Sequence, residues 1–144
     1  MIKDKVKNRL KEKIKDWVVK NPRRVYFTIE KENLKEVANV LYKEIKMRLC
    51  TITGIDNENN FELIYHFSFD KTGEIFNVRI FLKNKNNPEV DSLCDLFNAS
   101  NWIEREIYEM LGINFKGHPN LEHLLLNKNW PKGKYPLRKD YTNE

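Results

Sequence analysis

Cysteine is scarce in this chain. Cys50 and Cys94 are the only two, 44 positions apart, and no CxxC or CxxH pair occurs. That spacing argues against a zinc or iron–sulfur site built by this chain alone. Two buried thiols in a reducing compartment are expected instead. Long apolar runs are missing too: none approaches the roughly 18 residues of a membrane span. The start, Met1-Ile2-Lys3-Asp4-Lys5, lacks the apolar stretch of a secretory signal. These absences place the chain in the cytoplasm, attached to something larger. Glycine is also sparse, five in 144 residues, and no phosphate-cradling glycine loop is present.

Charge is abundant. Charged residues make up 33% and hydrophobic residues 40%, a balance that suits one highly charged globular domain with a single core. The net charge is +5, and residues 1–20 alone carry eight Lys/Arg against three Asp/Glu, so the remainder is neutral. The basic excess is local. A nucleic-acid or anionic-lipid binder acting through this segment is the rival reading for function, set against a helix simply solvated on its polar side.

Val6, Leu10, Ile14, Trp17 and Val18 recur at helical spacing and predict an amphipathic helix over 3–19, ended by Asn21-Pro22. A strand is expected over 24–29 and a second helix over 31–47. Strands follow at 49–55, 61–69 and 76–82, the last two joined by the turn Asp70-Lys71-Thr72-Gly73. Pro88 is expected to open a short helix through Leu96. Another helix covers 101–111, with Asn101 as its cap and Glu104 as the capping-box partner. A further helical turn is expected near 121–126. The fold class is α+β: helices packed on a mainly antiparallel sheet of about four strands, with an irregular C-terminal tail. Residues 1–126 form the domain and 127–144 an extended tail for docking.

On a wheel of the 101–111 helix, Ile103, Ile107, Met110 and Leu111 share one arc, and Glu104, Arg105, Tyr108 and Glu109 fall opposite. Arg105 and Glu109 can pair. Glu106 falls near the apolar edge, where a carboxylate needs a cation, and the tail offers Arg138 and Lys139. The three glutamates have no nucleophile or metal cluster beside them, so acid–base catalysis is discounted. His118 and His123 lack a third ligand. His118, in Gly117-His118-Pro119, is expected to fix a turn by a ring-to-backbone hydrogen bond. Trp130, Pro131, Gly133, Tyr135, Pro136 and Tyr141 have large buriable areas but no period. They suit a partner interface or a clasp over the domain's own sheet, and the two are compatible.

Asn101-Trp102-Ile103-Glu104-Arg105-Glu106-Ile107-Tyr108-Glu109-Met110-Leu111-Gly112-Ile113 resembles the signature of the 30-kDa subunit of respiratory complex I. That enzyme is the NADH:quinone oxidoreductase, and the same family includes the matching small subunit of energy-converting [NiFe]-hydrogenases and formate hydrogenlyase. Phe115, Gly117-His118-Pro119, Leu124-Leu125, Trp130 and Pro136-Leu137-Arg138-Lys139-Asp140-Tyr141 continue the pattern in order. Glu122 with His123 next, Asn120 and Leu111 depart from it, which points to a partner surface unlike that of the usual complex I member.

The resemblance implies a non-catalytic accessory subunit of a membrane-associated oxidoreductase. It implies no cofactor or metal in this chain, with iron–sulfur clusters, and nickel–iron in the hydrogenase type, held by partner subunits. The implied partners are a 49-kDa-like or hydrogenase-like large subunit and small iron–sulfur subunits, at the cytoplasmic face of the membrane, with no nucleic acid. The implied interface comprises Trp102, Glu104, Arg105, Glu106, Tyr108, Phe115, His118, Pro119, Trp130, Pro136, Leu137, Arg138, Lys139, Asp140 and Tyr141. The chain stops three residues after Tyr141. With the resemblance, that brevity favours a membrane-bound hydrogenase or another ferredoxin-linked complex over a classical NADH dehydrogenase.

Overall fold

The computed structural model describes residues 1–121 and 130–141. The expected helical turn at 121–126, His123 and the ends of the tail lie outside those residues. Helix α1 (Ile2–Arg9) is followed by strands β1 (Lys15–Asn21) and β2 (Arg24–Thr28). One helical segment then runs through a 3-10 turn (Lys31–Asn33), helix α2 (Leu34–Asn39) and a π turn (Val40–Glu44). Strands β3 (Arg48–Asp56), β4 (Phe61–Phe69), β5 (Glu74–Leu82) and β6 (Glu89–Asp91) follow, then helix α3 (Ser100–Leu111) and strand β7 (Asn114–Lys116).

The main sheet has the order β1-β2-β5-β4-β3, and β6 and β7 form a small parallel pair. Among the described residues only β2 and β5 run parallel within the main sheet; its other neighbours are antiparallel. The fold is α+β with a mostly antiparallel sheet. Alternation sets the sheet's inner face: Phe61, Leu63, Tyr65 and Phe67 of β4 pack beside Phe76, Val78, Ile80 and Leu82 of β5. Val37, Ala38 and Leu41 of the helical segment complete that core.

Three local expectations are corrected. The helix expected over 3–19 stops at Arg9, and residues 15–21 form the fifth strand of the sheet. Asp16 adopts a left-handed φ of 52° where the β1–β2 register shifts, and Trp17 turns inward to stack on Phe27 at 5.5 Å. Asn21-Pro22 therefore opens a hairpin turn, with the Arg23 N–H donating to Asn21 Oδ1 at 2.9 Å. Lysines that read as one helical face divide between α1 and β1. Lys3, Arg9, Lys13 and Lys15 form ion pairs with Glu74, Glu44, Glu36 and Glu30. The rival reading needs a continuous basic helix over 3–19, and the chain divides that segment between a helix and a strand.

The helix expected from Pro88 is also replaced. Residues 89–91 form β6, whose partner β7 lies beyond α3 in the chain. The thiols of Cys50 and Cys94 are half-buried rather than buried.

Candidate partner-docking surface

Helix α3 lies against the edge strand β3, and Gly54 allows the approach. A Cβ there would sit 2.8 Å from Leu111 Cδ1 and 3.4 Å from Ile107 Cγ2. At that same C-terminal end α3 stops on Gly112, whose φ of 77° is left-handed. A Cβ on Gly112 would also lie 2.5 Å from Tyr135 Cε2, so the glycine both ends the helix and admits the tail.

The inward side of α3 carries a charge the helical wheel places outside. Glu104 is fully buried. Its carboxylate accepts from the Ser92 hydroxyl at 2.6 Å, the Leu93 N–H at 2.8 Å and the Cys94 thiol at 3.5 Å. Burial pushes its pKa up, and these three donors and nearby His118 oppose that rise. The expected capping box does not form: α3 begins at Ser100 after Ala99, without a side-chain cap. Glu104 instead ties α3 to the segment after β6. Glu109, also placed on the outward arc by periodicity, is buried as well.

His118 behaves as its turn motif implies. The Asn120 N–H donates to His118 Nδ1 at 2.9 Å, which leaves the ring proton on Nε2 to donate to Asn101 O at 3.0 Å. Ligand atoms of Cys94, Glu104 and His118 lie within 4.8 Å of one another. A cation there would have to break the bonds just described. Burial also pushes the Cys94 thiol up to about 11, so a cation there would have to displace its proton as well.

The tail over 130–141 is a succession of turns rather than an extended strap. Trp130 stacks on Tyr141 with ring centroids 6.3 Å apart, and its indole N–H donates to Lys134 O at 2.7 Å. Leu137 N donates to Met110 O at 3.0 Å, and Arg138 Nε donates to Leu111 O at 2.6 Å. The Arg138 guanidinium also lies 4.7 Å from the Tyr135 ring centroid and 5.0 Å from that of Phe61. The Lys139 N–H donates to Asp56 Oδ2 at 2.8 Å, while Lys85 pairs with the other oxygen. Burial pushes the Asp56 carboxyl up, but the hydrogen bonds from Lys85 and Lys139 outweigh it and hold the carboxyl below its usual value.

Glu106 is therefore not the tail's anchor. It is exposed and has no ion pair among the described residues; the Arg138 guanidinium donates to Leu111 O, and Lys139 is held to Asp56 by its backbone N–H. Asp56 in this role has no local sequence signal, because its bond to Lys139 spans 83 residues.

Of the residues implied for an interface, Glu104 and Phe115 lie inside the fold and cannot meet a partner in this conformation. Trp102 and Leu137 are exposed at 59% and 66%, large values for apolar side chains. Glu106, Pro119, Lys139 and Asp140 are exposed; Arg105, Tyr108, His118, Trp130, Pro136, Arg138 and Tyr141 are half-buried. Arg105 lies over the Trp102 ring at 5.3 Å. The chain is thus a globular α+β protein that leaves apolar surface in water at Trp102 on α3 and at Leu137 on the tail.

The chain belongs to the respiratory-chain NADH dehydrogenase 30 Kd subunit family, which matches residues 27–144. It is 34% identical over 137 residues to an F(420)H(2) dehydrogenase subunit of Methanosarcina mazei, covering 90% of this chain and 83% of that one. Similarity to an NADH-quinone oxidoreductase subunit of Citrifermentans bemidjiense is 35% identity over 121 residues, covering 81% and 73%. The fold matches a chain in the structure of the membrane-bound sulfane sulfur reductase, an archaeal respiratory membrane complex. The TM-score is 0.85 at 22% identity, covering 98% of this chain and 85% of that one. A trypsin-resistant fragment of Nqo5 matches with a TM-score of 0.64 at 27% identity, covering 83% and 96%. No helix among the described residues is long and apolar enough to cross a membrane.

Proposed function

We propose that this chain is a non-catalytic docking subunit of a membrane-associated, multisubunit oxidoreductase. It packs on the 49-kDa-like or hydrogenase-like large subunit and supports electron transfer by holding its neighbours in register. In this reading the iron–sulfur clusters belong to partner chains, and the protein sits on the cytoplasmic side, peripheral to the membrane. Relatives named as NADH-quinone oxidoreductase and F(420)H(2) dehydrogenase subunits support the complex I-like setting.

The observation that carries the reading is the exposure of Trp102 and Leu137 on elements whose backbones are already fixed. Rigid aromatic and aliphatic groups lose little entropy on docking and serve as interface anchors. The test is copurification with the co-expressed large subunit. Trp102→Ala is expected to weaken association about tenfold or more with the melting temperature unchanged, and deletion of 130–144 to abolish it. Wild-type copurification by both variants would end this reading.

A further inference from the structure

We propose that the cleft between β3 and α3 receives a single apolar anchor side chain from the large subunit, next to a lysine or arginine that pairs with Glu106. This inference rests on the docking role above and gives its interface a specific chemistry.

The cleft holds about 180 Å³ and is lined by Thr51, Ile52, Ile107, Met110, Leu137 and Glu106, among others. It is smaller than the roughly 300–1,000 Å³ of a small-molecule site. It suits one large side chain, the usual shape of a central interface pocket. Its floor is fixed by the close contact at Gly54, where Leu111 and Ile107 meet the strand. Its rim is fixed by the tail, since Leu137 N is bonded to Met110 O and the neighbouring Arg138 to Leu111 O. Leu137 nevertheless leaves two thirds of its surface in water. The receptor is therefore preformed and little ordering is left for binding.

Charge identifies the occupant. Among the described residues, Glu106 is the one acidic residue lining the cleft. It is exposed, and among the described residues it has no ion pair or hydrogen bond. Its neighbour Glu104, by contrast, has three donors. An apolar knob seated against Met110 and Leu137 would strip water from Glu106, and an unpaired desolvated carboxylate is costly. A partner cation beside the knob removes that cost and sets the register.

The experiment uses the full chain co-expressed with the 49-kDa-like large subunit. Thr51→Trp fills the mouth of the cleft and Glu106→Lys reverses its charge, both at exposed positions. Each is expected to raise Kd for the large subunit about tenfold or more without lowering the melting temperature. A photo-crosslinking side chain at Leu137 is expected to capture an apolar residue of the large subunit flanked by Lys or Arg. Replacing that partner cation with Glu should rescue Glu106→Lys. Wild-type affinity in Thr51→Trp and Glu106→Lys, with association lost on deleting 130–144, overturns the cleft proposal and leaves the docking role standing. Wild-type affinity in the deletion and in Trp102→Ala overturns the docking role itself. A crosslink between two copies of this chain also overturns the proposal, because the occupant is then a second copy.

Discussion

Glu104 and Glu106 stand two residues apart on the same helix, in opposite physical settings. Glu104 is sealed in the fold and satisfied by a hydroxyl, a backbone N–H and a thiol. Glu106 faces water with no partner of its own among the described residues. The inner carboxylate joins parts of one chain, and the outer one is available to a second chain. A motif of alternating charge thus sets one carboxylate inside the fold and the other in water, about 160° apart around the helix.

Removing the inner carboxylate is the most damaging test of that contrast. Glu104→Ala leaves three donors without an acceptor and is expected to cost about 3–5 kcal/mol, read from denaturant melts. Glu104→Gln keeps one acceptor and should cost clearly less. The pH dependence has a defined sign. Because burial holds the Glu104 carboxyl above its usual pKa, the folded chain takes up its proton more readily than the unfolded one. The stability linked to Glu104 is then full below the ordinary glutamate pKa and is lost as pH rises through the folded value. Wild type and Glu104→Gln compared across that window should diverge toward high pH, with wild type losing more.

Next in size is the tail's lock. Arg138→Ala removes the bond to Leu111 O and the contacts with Tyr135 and Phe61, at a cost of about 1–3 kcal/mol. Faster amide exchange at Leu137 and Gly112 would report the release. Arg138→Lys should restore only part of the loss, since a point charge does not replace the planar group.

Asp56 sharpens the comparison from the acid side. Its carboxyl is held below the usual value by Lys85 and the Lys139 N–H, against burial. Its contribution is present above the ordinary aspartate pKa and is lost as pH falls through the folded value. Protection of the Lys139 amide should fall in that acid window, and Asp56→Asn should weaken it already at neutral pH.

The smallest expected effect belongs to the outer carboxylate. Glu106→Gln should change folding stability by less than about 0.5 kcal/mol while lowering affinity for the large subunit. A loss of more than about 1 kcal/mol in the isolated chain would break the contrast and make Glu106 structural too.

The sheet was the most legible part of the chain. In β4 and β5 an apolar residue stands at every second position of the inner face, and burying that face selects the pairing. The 15–21 segment misleads because Ile14, Trp17 and Val18 continue α1's helical period by coincidence, while Trp17 is claimed by Phe27 on the next strand. Pro88 misleads because the choice between a first helical turn and a strand is made by β7, 25 residues downstream of β6. The wheel misplaces Glu104 because it assumes one buried side. Here α3 packs on β3 along one side and covers the Ser92–Cys94 segment along another. The histidine turn was readable because Asn120, whose N–H donates to the ring, is two residues along the chain; the Asn101 partner, 17 residues back, was not.

What the sequence determined alone is what depends on neighbours along the chain: the alternating strands, the turn at Gly73, the end of α3 at Gly112, and the signature that places the chain in its family. Only the tertiary structure decided which charges are buried and which are offered outward. That assignment depends on donors brought from far along the chain, Ser92 to Cys94 for Glu104 and Lys139 for Asp56. A carboxylate's cost or use is set by the groups within hydrogen-bond reach, and those become known only when the chain has closed on itself.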